Sequence, residues 1–314
     1  MTGLSKFKIT NDSRILSLFK KRLSVKSTKA FIGKLVIYVI LIDLAFVFIY
    51  PFVFMFLTSI KLPGDLYYAA IKRLPRHLTF SNFTTALRIM DYPLHFVNSV
   101  ITTLLPTLGH VMSASFIGYG FARFKFRGRE FLFTLVLVTL IVPPQTIIIP
   151  LYELYYKLSW TDTFAPLIVP AFFGTGLKGA LYIFIFRQLF RGLPTDLENA
   201  AKLDGCGVFK TYVKIALPLS KSAILVTSIL SIVWHWNDFF EPQVYLVTPS
   251  KFTLPMLLPG LWRQFDQVVG GAVENLSITV PMACSILILL PMIILYAVLQ
   301  KGFMQGIERS GLVG

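Results

Sequence analysis

Apolar and polar positions divide this chain into long blocks. Leu35–Ile60 is an apolar run broken only by Asp43. Phe96–Ala122 and Phe131–Tyr152 hold no Asp, Glu, Lys or Arg, and Thr163–Phe186 holds one cation, Lys178. Ser222–Asn237 is shorter, its helix predicted to start near Pro218, and Asn275–Gln300 is again free of those four residue types. A helix crosses a bilayer with about 20 mostly apolar residues. The runs are continuous rather than alternating, and a helix satisfies its own backbone in hydrocarbon. The pattern therefore predicts an all-α integral membrane protein with six transmembrane helices, residues 35–314, behind a polar basic leader, residues 1–34.

Composition agrees. Of 314 residues, 55% are hydrophobic and 14% charged, against about 25% charged in soluble domains. So much apolar residue excludes disorder, and its collection into blocks argues against a soluble enzyme. The net charge of +15 raises nucleic acid as a partner, but no basic recognition motif occurs and the cations lie between the apolar runs. With the N-terminus placed in the cytosol, the predicted inner segments carry 21 Lys and Arg and the outer segments 8. That bias predicts both termini inside. The leader is too long and the first run too extended for a cleaved signal peptide. An uncleaved first helix follows, with the leader fixing topology beside anionic membrane lipid. Cys206 and Cys284 stand far apart in different settings and read as free thiols.

The segment between the fourth and fifth runs is polar but patterned. Thr195 and Glu198 have capping-box spacing, so a helix is predicted from Thr195. Gly205 suits the left-handed residue that stops it. Phe209, Tyr212 and Val213 fall at i, i+3, i+4, the spacing of a second amphipathic helix, and Pro218 leads into the fifth run. The pattern fits either an ordered helix–Gly–helix element or an amphipathic loop lying at the lipid surface.

These residues resemble the cytosolic loop of ABC importer permeases. That loop reads Glu-Ala-Ala, three residues, Gly, nine residues, Ile, one residue, Leu-Pro; Ala200, Ala201, Gly205, Ile215, Leu217 and Pro218 fall on that spacing. The Glu slot departs: it holds Asn199, with Glu198 just before it. Asp204 before the Gly, the stretch Arg187–Pro194 upstream, Trp236-Asn237-Asp238-Phe239, and the start of the tail Gln300-Lys301-Gly302-Phe303 are similar to the carbohydrate-uptake branch, and most of all to its maltose-type second permease. The resemblance covers roughly residues 35–314.

It implies a type I ABC importer transmembrane domain whose loop, residues 195–218, is a coupling helix docked on a dimer of cytosolic ATPase subunits. ATP and Mg would be bound there, and this chain would carry no cofactor of its own. Closure of the ATPases would swing the permease from inward-facing to outward-facing. The implied partners are a second, different permease chain, an extracellular or periplasmic solute-binding protein, and a carbohydrate cargo. Glu198, Asn199, Ala200, Ala201, Asp204, Gly205, Ile215, Leu217 and Pro218 are the implied coupling residues. The neutral Asn199 puts in doubt any ion pair made at the Glu slot, unless Glu198 substitutes.

Four residues are candidates for the cargo path. Lys178 is the cation inside a predicted span, where a charge must face protein or water; it lines the path, forms a structural pair, Asp43 being one candidate partner, or snorkels to the interface. Trp236, Asn237 and Asp238 offer the aromatic face, amide and carboxylate that bind sugars, or else form a belt residue and a polar helix end. Gly174-Thr-Gly176-Leu-Lys178-Gly179 matches a dinucleotide fingerprint, but lies inside an apolar run and is read as small residues for close helix approach or bending. No GxxxxGK[ST] phosphate loop occurs. Pro143-Pro144, Pro281 and Pro291 are hinges or static kinks. His77, His95, His110 and His235 lack metal-ligand spacing, and no nucleophile–base set is visible, so neither a metal site nor catalysis is predicted. An ion-coupled transporter would want carboxylates at mid-membrane depth, and only Asp43 qualifies; an ABC permease for a non-sugar cargo is the nearer alternative.

Overall fold

The computed structural model describes residues 25–66, 77–269 and 278–311, and every regular element among them is helical. The chain divides into two units, Met1–Leu57 and Thr58–Gly314. The first holds nearly all of α1, Val25–Ser59, whose apolar stretch from Phe31 is long enough to span a bilayer and whose side chains are exposed from Phe31 to Phe54. A helix that is apolar all round and exposed all round belongs in hydrocarbon. The leader's first 24 residues lie outside the described residues.

In the second unit, α2 (Ser81–Ile89) precedes α3 (Tyr92–Arg123), an unbroken span with half of its apolar window buried. The predicted third span is not one helix. It is split into α4 (Arg129–Val138) and α5 (Pro144–Lys157), with Pro143 in extended backbone at the break. The predicted fourth span is likewise split, into α6 (Ala165–Phe172) and α7 (Gly179–Gly192). The glycine-containing motif is therefore neither a nucleotide loop nor a bend within a helix. It is the break itself, with Gly174, Gly176 and Lys178 all at positive φ. Such a break leaves carbonyls without helical partners. Ser113 Oγ donates to the Ala171 carbonyl at 2.6 Å and Thr175 Oγ1 to the Pro170 carbonyl at 2.9 Å, so backbone that lipid could not satisfy is satisfied by side chains.

The loop before the fifth span comprises α8 (Thr195–Leu203) and α9 (Val208–Leu219), the latter with a π-helical turn over Tyr212–Ala216. Ser220 then separates α9 from α10 (Lys221–Asn237), and the two are bent by 74°. After α11 (Phe240–Tyr245) and α12 (Leu254–Val269), α13 runs unbroken from Thr279 to Gly311, past Pro281 and Pro291 and beyond the predicted end at Gln300.

α3 is the central post, packed against α6, α7 and α10. Tyr182, Phe186 and Phe190 of α7 meet Ala114 and Tyr119 of α3, Phe133 of α4, and Tyr212 of the loop in one buried cluster. The approach of α3 and α7 requires Gly118: a β-carbon there would stand 2.7 Å from Phe186 Cβ and 3.0 Å from the Arg187 backbone nitrogen. α3 and α10 meet along a polar seam. Thr107 Oγ1 donates to Ser231 Oγ at 3.0 Å, and the buried His110 ring lies 4.9 Å from Tyr182 and 5.3 Å from His235.

Candidate functional site

Two regions carry the residues singled out from the sequence. The first is the α8–α9 loop. α8 starts at Thr195 as expected, but without the capping box: Pro194 occupies the cap position and no side chain caps the helix. Glu198 is drawn elsewhere. Its Oε1 stands 2.8 Å from Arg123 Nε, and the two side chains are 12% and 9% exposed. Arg123 Nη2 also donates to the Leu193 carbonyl at 2.8 Å. Glu198 therefore turns toward α3, while Asn199, the residue in the Glu slot, is exposed. The two alanines also part: Ala201 is buried within the chain and Ala200 is exposed.

The stop at Gly205 matches the expectation in detail. Gly205 has φ +73°, the Cys206 N–H donates to the Ala201 carbonyl at 2.9 Å, and the Gly205 N–H donates to the Lys202 carbonyl at 3.0 Å. This is the Schellman pattern, with glycine supplying the left-handed residue. A β-carbon at Gly205 would meet nothing within 4 Å, so the turn stands clear of the rest of the chain. Around it Leu203 is 90% exposed and Phe209 69% exposed, with Val208 and Leu197 also exposed. Phe209, Tyr212 and Val213 do not share a buried face as predicted. The π turn changes their angular spacing, so Tyr212 is buried while Phe209 and Val213 are exposed. Ile215 and Leu217 are half-buried, and Asp204 and Pro218 exposed. A polar-flanked segment thus presents exposed apolar side chains at its tip.

The second region is a cavity of about 480 Å³ where the two broken spans meet. Its lining is mostly apolar, with Thr139, Thr175, Lys178, Tyr155, Glu241 and Tyr245 supplying the polar groups. Lys178 holds φ +62° at the head of α7, and its Nζ lies 4.5 Å from the centre of the Trp234 ring. Its partner within this unit is thus an aromatic face, a cation–π contact.

The other three path candidates do not assemble. Trp236 is buried, its Nε1 donating to the Ile288 carbonyl at 3.1 Å with Phe96 edge-on. Asn237 Nδ2 donates to the Val233 carbonyl at 2.8 Å on its own helix. Asp238 Oδ1 accepts from the backbone N–H of Phe240 at 3.0 Å, ordering the start of α11. Glu241 and Trp234, neighbours of that motif, are the residues the sequence pattern missed. Their helical phase could have pointed to them only once the break at 173–178 was known.

Elsewhere in the second unit, Asp162 ties two loops together. Its Oδ1 accepts from the Val247 and Thr248 backbone N–H groups at 3.0 and 2.9 Å, and its Oδ2 meets the Thr248 hydroxyl at 2.6 Å and Lys251 Nζ at 2.9 Å. Lys251 and these donors hold the Asp162 carboxyl far below the usual carboxylate range.

Broken apolar spans around a cavity, joined to an ordered polar loop with an apolar tip, define a helical membrane protein. Comparison with known proteins supplies the family. A family described as binding-protein-dependent transport system inner membrane component matches residues 114–309. The arabinooligosaccharides transport system permease protein AraQ of Bacillus subtilis is 30% identical over 278 residues, 86% of this chain and 92% of that protein. The melibiose/raffinose/stachyose import permease protein MelC of the same organism is 28% identical over 265 residues, 84% and 91% of the two chains. A crystal structure of a bacterial ABC transporter that imports the acidic polysaccharide alginate contains a chain of the same fold, with TM-score 0.76 and 22% identity over 87% of this chain and 97% of that one. The chain belongs to the family of binding-protein-dependent transport system inner membrane components and has the type I ABC importer permease fold. It is a transport permease rather than a member of an enzyme class, and membership implies ATPase and solute-binding protein partners.

Proposed function

We propose that this chain forms one half of the pathway of an ATP-driven importer for a sugar or oligosaccharide, paired with a second, different permease and two cytosolic ATPase subunits. The carbohydrate reading follows the relatives named for arabinooligosaccharide and for melibiose, raffinose and stachyose transport. A solute-binding protein delivers the cargo from outside, and both chain termini lie in the cytosol. The single observation that carries the coupling role is the apolar tip at Leu203 and Phe209, held on a Schellman turn at Gly205 and clear of the rest of the chain.

In this reading the tip seats in a cleft of an ATPase subunit. Asn199, Ala200, Asp204 and Gly205 form the exposed rim, and Ala201, Ile215 and Leu217 support it from within. ATP and Mg act in the partner, whose closure moves the loop and opens the pathway outward; release of the closed state opens it inward. Lys178 and Glu241 lie beside the cavity between the broken spans and are the candidate groups for polar cargo. A left-handed lysine costs about 1–2 kcal/mol that glycine would not, and strain of that kind collects at functional positions.

The test is affinity purification of the tagged chain from its native membrane, followed by reconstitution with ATP. Co-purification of an ATPase and a second permease, with ATP-dependent uptake of a mixture of arabino-, galacto- and raffinose-type oligosaccharides presented by the binding protein, is the expected result. Uptake that proceeds without any ATPase present overturns it.

A further inference from the structure

Ser115, Tyr119 and Arg123 recur every fourth residue at the end of α3 and so share one face. Each of them meets the α8–α9 loop. Ser115 Oγ and the Tyr212 hydroxyl are 2.8 Å apart, and the Tyr119 and Tyr212 rings lie 5.2 Å apart at their centres. Arg123 holds Glu198 at 2.8 Å and the Leu193 carbonyl at 2.8 Å. One stripe of one helix therefore grips both arms of the loop: α8 through Glu198, and α9 through Tyr212. The covalent route is less direct. α9 leads into α10 through Ser220 with a bend of 74°, so the loop is not the rigid end of the helix that follows it.

We infer that motion of the loop enters the pathway through α3, with Arg123 as the positioning residue that locks α8 to it. The inference rests on the docking role proposed above. A buried charge pair fixes orientation because neither partner can leave without stranding the other. α3 is also suited to carry the motion, since it packs against α6, α7 and α10, which bring it to both the broken fourth span and the polar seam. Glu198 accordingly serves as an inward anchor rather than as a stand-in charge at the ATPase surface. The outer rim is left with the neutral Asn199 at that slot.

The experiment uses the whole transporter, co-purified with its ATPase and sister permease and reconstituted with the binding protein and the same oligosaccharide mixture. The readout is sugar moved per ATP hydrolysed, a ratio that loss of folded protein alone does not change. Arg123→Gln is expected to lower it about tenfold, within the range typical of coupling between sites, while the ATPase still co-purifies. Glu198→Gln, close in shape to the native residue, should do the same. Combining Arg123→Glu with Glu198→Arg should restore at least about a third of the native ratio, as expected if the two charges act as a pair. Lys125→Gln, a nearby loss of positive charge, should leave the ratio unchanged.

A native ratio in both single variants overturns the inference. So does an equal fall in Lys125→Gln, or an exchange pair that restores nothing. A reduced yield of complex with a native ratio in what assembles assigns the pair to stability and likewise overturns it. If instead the native complex moves no sugar with ATP, it is the proposed function that fails.

Discussion

Substitution at Gly205 separates two effects that most loop mutations confound. Its φ of +73° lies in the left-handed region, where an ordinary L-residue costs about 1–2 kcal/mol. Asn tolerates that region far better, whereas Val, branched at Cβ, is a genuine outlier there. Space within the chain is not the issue, because a β-carbon at this position meets no atom within 4 Å. Gly205→Asn should therefore leave the isolated permease close to native stability, and Gly205→Val should weaken the turn by roughly 2 kcal/mol or more through backbone strain alone. If the turn seats in an ATPase cleft, however, both side chains enter a packed interface. Overpacking a tight contact costs about 1–3 kcal/mol, which corresponds to about 5- to 150-fold in coupling. The assay pairs thermal melting of the purified permease with sugar uptake and ATP hydrolysis by the reconstituted complex. A Gly205→Asn variant that melts like the native chain but takes up sugar about tenfold more slowly meets the expectation. Native uptake in both variants would refute a docked turn at Gly205.

The remaining predictions address other parts of the molecule. Gly118→Ala drives a methyl to within 2.7 Å of Phe186 Cβ and should destabilise the permease by about 1–3 kcal/mol, read as a lower melting temperature; an unchanged melt would mean that α3 and α7 separate at no cost. Lys178→Met should lower uptake without lowering melting temperature if Lys178 serves cargo, whereas native uptake assigns its contact with Trp234 to packing. A cysteine replacing Asp204, in a background lacking Cys206, should label with an impermeant maleimide from the cytosol, and labelling from outside would overturn the topology. The Asp162 latch has a defined pH sense. Its carboxyl is held below its ordinary value of 3.8, so its stabilising effect is fully present above that value and fades as pH falls through the depressed one. Proteolysis of residues 246–251 should therefore be the same at pH 7 and pH 5 in the native chain and faster at both in Asp162→Asn; faster cleavage of the native chain at pH 5 would contradict the depressed carboxyl.

The long spans were legible because lipid enforces a simple rule. An uncharged run of sufficient length has nowhere else to go, and α1, α3 and α13 follow their apolar runs closely. The Gly205 turn was legible for a related reason: a Schellman stop is local, and its geometry depends on one residue's φ and on carbonyls one turn away. The breaks at 139–143 and 173–178 were not. The first lies in an apolar run whose prolines mark equally well a kink that keeps its helix, and the second carries Gly174, Gly176 and Lys178, which fit a close helix approach or a bend as well as a break. α1, α3 and α13 contain internal prolines and do not break. What distinguishes the fourth span is that Ser113, on a different helix, donates to a carbonyl at the freed end of α6, a fact of tertiary structure.

The same distance in sequence hid the partners of the charged residues. Glu198 has a local signature that reads as a cap with Thr195, worth about 1 kcal/mol. Arg123, in contrast, offers an ion pair in a nearly dry site, where leaving either charge alone costs about 3–5 kcal/mol. The stronger interaction wins, and the helix begins at the predicted residue without the predicted cap. Trp236 shows the same competition. Its motif offers an aromatic face to cargo, but a buried indole needs an acceptor, and the Ile288 carbonyl on α13 provides one. Its helical neighbour Trp234 is left exposed, and the Lys178 ammonium sits on that ring. A motif of polar and aromatic residues near a helix end therefore states what chemistry is on hand. Which member keeps a free face is decided by the helices that pack behind it.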